Sequence, residues 1–171
     1  MFVRILGGAA IAGGVLRIMD SFTLGVLSPG TLSLLYFVTD VLLLLGIAGI
    51  YWSRRTTIGI AGTIGAAIFA LGIVWIRIDA FTGANVYQLG AAVALLGLAV
   101  LSGEELLRRR DIVAAPVLWL AAFLFGIVGT LGLMVPVMTI AAGVAFGAGF
   151  VVAGRQVLAN RSWTSAPAHQ S

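Results

Sequence analysis

The chain contains no cysteine and no lysine, and charged residues make up only 9% of its 171 residues. The absence of cysteine excludes disulfides, thiolate metal sites and cysteine nucleophiles. A soluble domain usually has about 25% charged and about 45–50% apolar residues, whereas this chain is 61% hydrophobic. A soluble fold of this size cannot bury that much apolar surface. The composition therefore predicts a multi-pass integral membrane protein.

All ten basic residues are arginines, a bias that a GC-rich genome would produce. Ten arginines against six acidic residues give a net charge of +4, which by itself could suggest nucleic-acid binding. Most of the arginines, however, cluster at predicted helix ends, as the positive-inside rule for membrane proteins predicts. We therefore expect a lipid bilayer as the partner and no nucleic acid.

Apolar runs of about 20 residues, the length that crosses a bilayer, predict six transmembrane helices joined by short polar loops. The expected fold class is all-α, a polytopic membrane helix bundle with its six helices arranged as three hairpins. The predicted spans are residues 3–20, 31–52, 57–76, 86–101, 112–134 and 137–153. Residues 1–154 form one transmembrane domain, and the polar tail at 155–171 is expected to be disordered. A signal peptide is the alternative for the first span, with Ala10-Ile11-Ala12 as its cleavage site.

The arginines also predict the orientation of the bundle. Eight of them fall on one side of a six-span arrangement, namely Arg4, Arg54, Arg55, Arg108, Arg109, Arg110, Arg155 and Arg161. Arg17 and Arg77 fall on the other side, each with an acid close by. Because loops rich in arginine stay in the cytoplasm, both termini are expected to face the cytoplasm, with the chain in a bacterial inner membrane.

Asp40 lies in an otherwise apolar stretch, residues 34–50, roughly 13 Å inside its predicted helix at 1.5 Å per residue. An ionised carboxylate at that depth costs several kcal/mol unless it is paired or protonated. Arg17, at the end of the neighbouring helix, is the expected partner. Tyr36 precedes Asp40 by one helical turn and is placed to donate a hydrogen bond to it. The pair is either an ion, proton or ligand site, or a structural ion pair that joins two helices.

A second candidate site lies at the ends of spans one and three, which resemble each other. Arg17 is followed by Asp20, and Arg77 is followed by Asp79. These four side chains are expected either to line the mouth of a pocket or to form ordinary ion pairs at the membrane interface.

Glu104 and Glu105 lie in the most charged stretch, residues 102–111, and are expected in a solvated cytoplasmic loop. No further carboxylate pair or helix-borne histidine accompanies them, and the single histidine, His169, lies in the tail. We therefore expect no metal and no cofactor. The apolar helices contain no nucleophile and base at a catalytic spacing, so the chain is not expected to be an enzyme.

Small residues spaced three or four positions apart allow helices to approach closely in lipid. They occur in spans three, five and six, at Gly59, Gly62, Gly65, Gly126, Gly129, Gly132, Gly143, Ala145, Gly147 and Gly149. Such faces predict tight packing within the chain. The alternative is contact with a second copy, or with a larger membrane complex.

Part of the chain resembles uncharacterised small six-span membrane proteins of high-GC bacteria. The residues that carry this resemblance are 40–51, Arg54-Arg55, Gly59, Gly62, 97–101, Pro116 and Trp119. It implies the fold and the membrane location only. Pro29-Gly30-Thr31 is similar to a feature of HdeD-like acid-resistance membrane proteins, although the second and third hairpins lack it.

Three functions are compatible with these patterns. The first is a non-enzymatic protein that binds a small apolar or amphiphilic molecule, or a membrane partner, within the bundle. The second is a small-solute or proton-coupled transporter in which Asp40 is the titrating group. The third is a structural subunit whose glycine-rich helix faces dock onto a larger membrane complex.

Overall fold

The computed structural model describes residues 2–22, 28–82, 87–108, 113–132 and 134–159. Within these ranges the secondary structure is six α-helices: α1 (Phe2–Asp20), α2 (Pro29–Arg54), α3 (Ile60–Thr82), α4 (Tyr87–Arg108), α5 (Ala114–Thr130) and α6 (Val135–Ala159). Five of them are long and apolar enough to cross a membrane, and α5 is an apolar helix of 17 residues. The predicted all-α membrane bundle is therefore confirmed.

Several helices extend beyond the predicted spans. α4 continues to Arg108 and α6 continues to Ala159, so the charged stretch after span four is largely helical. The turn between α5 and α6 contains Gly132, whose φ of 80° suits glycine, and it precedes Pro136 rather than being centred on it. Pro136 lies in the first turn of α6, where a missing N–H group removes no hydrogen bond. The tail predicted to be disordered begins at residue 155, within α6. The part of it beyond α6 lies outside the described residues.

Consecutive helices pair as three antiparallel hairpins, α1–α2, α3–α4 and α5–α6, which confirms the predicted arrangement. α1 also packs along α6, and α5 packs along α4, so the hairpins surround a common centre. α2 lies less close to α3 and α6 than it does to α1. The first hairpin therefore meets the second one mainly through side chains.

The two ends of the bundle differ in charge. We call one of them the basic end, because it holds Arg4, Arg54, Arg55, Arg108 and Arg155. α1 begins there and α6 ends there. The other end, where α2, α4 and α6 begin, is called the opposite end.

Four aromatic side chains fill the centre of the bundle. Phe69 of α3 lies 6.1 Å from Phe146 and 5.5 Å from Phe150 of α6, measured between ring centroids. Trp119 of α5 meets Phe150 edge to face at 5.3 Å. Aromatic pairs at such distances add attraction beyond their apolar area. This cluster connects the second hairpin to the third.

Glycines allow close backbone contact inside the hairpins and between α1 and α6. A Cβ on Gly147 would overlap the carbonyl oxygen of Gly14, and one on Gly46 would lie 2.7 Å from the Cα of Ala10. The remaining predicted glycines, apart from Gly132, also have their nearest neighbours within this chain. Among the described glycines, none has its nearest neighbours across the contact between α2 and the second hairpin.

Gly147→Leu should destabilise the protein, because its side chain would have to displace the backbone of α1 at Gly14. Overpacking of this kind costs about 1–3 kcal/mol, and sometimes more. Gly8→Leu is the matched control, since nothing lies within 4 Å of the position that a Cβ would take there. Thermal unfolding of the detergent-purified variants measures both effects. Equal Tm values for the two variants would contradict the close α1–α6 contact.

Candidate functional site

Asp40 forms an ion pair with Arg77 of α3, with 2.6 Å between its Oδ2 atom and Nε of the arginine. The two side chains are 13% and 19% exposed. The prediction that Arg17 would be this direct partner is therefore wrong. Arg17 lies within electrostatic range of Asp40, but its guanidinium instead faces the Phe146 ring at 5.9 Å and lies within electrostatic range of Tyr87.

The register of the first hairpin explains why Arg77 takes the place expected for Arg17. Thr39 of α2 donates a hydrogen bond to Oδ2 of Asp20, at 3.3 Å, so Asp40 lies level with the last turn of α1. Consecutive helical residues point about 100° apart. Asp40, the residue after Thr39, therefore lies on a face of α2 that is directed toward α3 rather than α1. The hydroxyl of Thr39 thus connects α2 to α1.

Asp20 is one of the most deeply buried acidic residues in the described part of the chain, with only 2% exposure. Besides the hydrogen bond from Thr39, it interacts electrostatically with Arg17 of its own helix. A buried charge is tolerable only when it is paired or hydrogen-bonded. Asp20 therefore belongs to the same buried network as the Asp40 ion pair.

We call Arg17, Asp20, Thr39, Asp40 and Arg77 the polar layer. Three of the six helices contribute to it, and its two arginines and two aspartates balance in charge. Ionised side chains at such positions in a membrane bundle are rare and mark functional sites by default. The structure thus brings together four of the six predicted site residues.

The other two predicted site residues contribute differently. Tyr36 makes no hydrogen bond to Asp40 within the described residues, but it lies in electrostatic range of Asp20, Arg17 and Tyr87. It therefore borders the polar layer instead of donating to Asp40. The side chain of Asp79 lies outside what the structure describes.

The polar layer faces the opposite end of the bundle. Asp20 is the last residue of α1, whereas Asp40 lies near the middle of α2, so the first half of α2 extends past the layer. Apolar side chains on this half are exposed, including Leu34 at 64% and Phe37 at 47%. Apolar surface of α2 therefore lies between the opposite end and the polar layer.

A second buried polar cluster lies at the basic end. Arg54 of α2 forms an ion pair with Glu105 of α4, and both side chains are about 5% exposed or less. Nη2 of Arg54 also donates to Oε1 of Gln156 on α6, at 2.6 Å. Arg54 therefore links three hairpins, although its sequence position indicated only membrane orientation.

Glu104 lies beside this cluster and caps the start of α3. Its carboxylate accepts a hydrogen bond from the backbone N–H of Gly62, one of the first-turn groups that lack a partner in their own helix. The other carboxylate oxygen lies 2.8 Å from Nε of Arg108. Glu104 and Glu105 are thus buried on a helix, and the prediction of a solvated loop is wrong because α4 continues past them.

The chemistry available at these two clusters is binding and proton exchange. The described residues contain no group of three or more His, Cys, Asp or Glu side chains placed to hold a metal ion. The guanidinium groups can bind a carboxylate or phosphate, and the aspartates can bind an ammonium group or a proton.

Comparison with protein-family models, curated proteins and solved structures gives no match for this chain. The function of the chain must therefore be inferred from the polar layer, from its surroundings and from the helices that position it.

Asp40 and Arg77 should couple energetically more strongly than Asp40 and Arg17. Asp40→Asn alone leaves a buried arginine unpaired, which costs about 3–5 kcal/mol, and the Asp40→Asn/Arg77→Gln double variant should recover part of that loss. A double-mutant cycle on thermal stability should give an interaction above about 1 kcal/mol for this pair. The parallel cycle with Arg17→Gln serves as the control. A larger interaction in that control would contradict the observed pairing.

Proposed function

We propose that this membrane protein is not an enzyme, and that it binds a small amphiphilic molecule with its head group in the polar layer. The observation that carries the proposal is a charge-balanced set of two arginines and two aspartates inside an apolar bundle. A purely structural connection between two helices needs a single ion pair. The second arginine and second aspartate supply additional donors and acceptors at the same level.

An amphiphile suits the surroundings of the polar layer. A carboxylate or phosphate head group would be bound by Arg17 and Arg77, whose guanidinium groups match the geometry of such anions. The apolar part would lie along the exposed first half of α2, near Leu34 and Phe37.

The arginine distribution supports a definite orientation for this site. The basic end holds five described arginines, and under the positive-inside rule it faces the cytoplasm. In a bacterial inner membrane both termini would then be cytoplasmic. The polar layer would accordingly lie toward the outer side of the membrane.

Transport is a second candidate function, and the position of Asp40 favours it. Asp40 and Arg77 belong to different hairpins, so protonation of Asp40 would weaken a connection between two parts of the bundle. A titrating group whose charge controls such a contact is what a proton-coupled carrier requires. Reconstituted vesicles would test this, since a carrier should lose flux in the Asp40→Asn/Arg77→Gln double variant, which should recover part of the stability that Asp40→Asn alone loses.

A structural-subunit function has less support from the glycine contacts. Gly62 faces the carboxylate of Glu104, and Gly147 faces the backbone of α1. These glycines therefore serve the packing of this chain. Docking onto a second copy or a larger complex would need another surface, and Gly8 on α1 is one position with open space beside it.

Binding should appear as ligand-dependent stabilisation of the detergent-purified protein. We expect that one or more of a lysophosphatidylglycerol, a lysophosphatidylcholine and a fatty acid raises the Tm in a saturable manner, because a ligand that binds only the folded state stabilises it. The Asp40→Asn/Arg77→Gln double variant should lose this shift, and Arg108→Gln, at the basic end, should keep it. A shift of the same size in the double variant, or no shift with any of the three amphiphiles, would contradict the proposal.

A further inference from the structure

The ion pair between Arg54 and Glu105 has no part in binding at the polar layer. It lies at the basic end, where Arg54 also reaches Gln156 of α6. Replacing such a buried pair by apolar side chains is often neutral or stabilising. Its burial therefore calls for an explanation other than stability.

The spacing of residues along α2 connects the two ion pairs. One stripe, with successive steps of three and four residues, consists of Asp40, Leu43, Ile47, Ile50 and Arg54. Residues at such spacing share one helix face, and all five are buried or nearly so. The two charged ends of the stripe are about 21 Å apart along the helix axis. The three apolar residues between them belong to the central core.

The second hairpin presents the complementary charges. Arg77 of α3 meets the acid at one end of the stripe, and Glu105 of α4 meets the arginine at the other. We call the contact of this stripe with α3 and α4 the seam. α2 supplies the acid of the ion pair at one end of the seam and the arginine of the ion pair at the other end. Apolar side chains pack between the two pairs.

The seam differs from the α1–α2 and α3–α4 contacts in the way it is held. α2 packs against α1 through Gly46 and Gly49, and α3 packs against α4 through Gly65 and Gly72. Such backbone contacts fix each hairpin as a unit, whereas side chains alone join the two hairpins across the seam. The seam can therefore open without breaking a close backbone contact.

We infer that Arg54 and Glu105 form a gate, which closes the basic end of the seam, whereas the polar layer lies toward the opposite end. This inference rests on the proposed binding function, since it gives the bound molecule a second, normally closed route. Breaking this ion pair opens the basic end of the seam locally. The Asp40 ion pair controls the other end in the same way.

The surroundings of Glu105 fit this role. A small recess at the basic end reaches it and is lined by both apolar and polar side chains, namely Arg54, Thr57, Ile58, Leu101, Glu104, Glu105 and Arg108. Arg108 is largely exposed, so the recess borders the aqueous side. Within the described residues, Oε2 of Glu105 has no hydrogen-bond partner. The ion pair therefore lies next to the aqueous side, and the buried side chain of Ile50 lies one turn behind it along α2.

Cysteine labelling tests the gate directly, because the natural chain has no cysteine. Ile50→Cys reports on the basic end of the seam and Leu43→Cys on the other end; the native side chains at these positions are 0% and 1% exposed. Each reporter is labelled with a maleimide in the detergent-purified full chain, without ligand. Glu105→Gln is the test variant, and Glu104→Gln is the matched control, since Glu104 bonds only within its own hairpin.

Glu105→Gln should speed labelling of Ile50→Cys by at least about tenfold, because an unpaired buried arginine strongly favours local opening. Leu43→Cys should label at an unchanged rate, and Glu104→Gln should leave both rates unchanged. An unchanged rate at Ile50→Cys would overturn the inference. So would an equal rise at both reporters, or the same rise in Glu104→Gln, since either result indicates general loosening.

A second variant covers the case in which Glu105→Gln does not fold. Gln156→Ala removes one hydrogen-bond partner of Arg54 and keeps both charges of the ion pair. We therefore expect a smaller rise in the labelling rate, confined to Ile50→Cys. The absence of this rise would overturn the gate. These rates are measured without ligand. A local rise combined with no amphiphile-dependent Tm shift would therefore reject the binding function alone, whereas the reverse combination would reject the gate alone.

Discussion

Charge is costly inside an apolar bundle, and this cost determines how α2 meets the second hairpin. Each of the two charged residues on the inner face of α2 needs an opposite charge at its own depth. Arg77 supplies it for Asp40, and Glu105 supplies it for Arg54. Because these partners lie on different helices of one hairpin, the two pairs together fix the position of that hairpin along α2. The polar layer and the basic-end cluster both follow from this single requirement.

Backbone contacts and side-chain contacts divide the bundle into parts. Helices in lipid gain little from apolar attraction, so the closest contacts form where glycine lets backbones meet. These contacts join α1 to α2, α1 to α6, and α3 to α4. The seam lacks them, which leaves its ion pairs as the specific connections. Binding at the polar layer and opening at the basic end thus depend on the same weakly packed contact.

The helix count, the three hairpins and the burial of Asp40 with an arginine could be predicted from the sequence, because they depend on composition and local periodicity. The identity of that arginine could not. Arg17 and Arg77 end similar segments, and only the register between α1 and α2 turns Asp40 toward α3. The basic-end cluster was missed for another reason. Glu105 is taken for a loop residue when the fourth span is ended at its last apolar residue. The stripe from Asp40 to Arg54 is the signal that could have found this cluster, because it places Arg54 on the buried face of α2.

The measurement that tests this account most directly is the distance between the two hairpins at each end of the seam. Spin labels at Arg55→Cys and Leu107→Cys report on the basic end, and labels at Leu34→Cys and Leu89→Cys report on the opposite end; all four native side chains are exposed. Pulsed electron-spin resonance should show that Glu105→Gln lengthens or broadens the first distance and leaves the second unchanged. If both distances change together, or neither changes, the two ion pairs do not close the seam independently and the account is wrong.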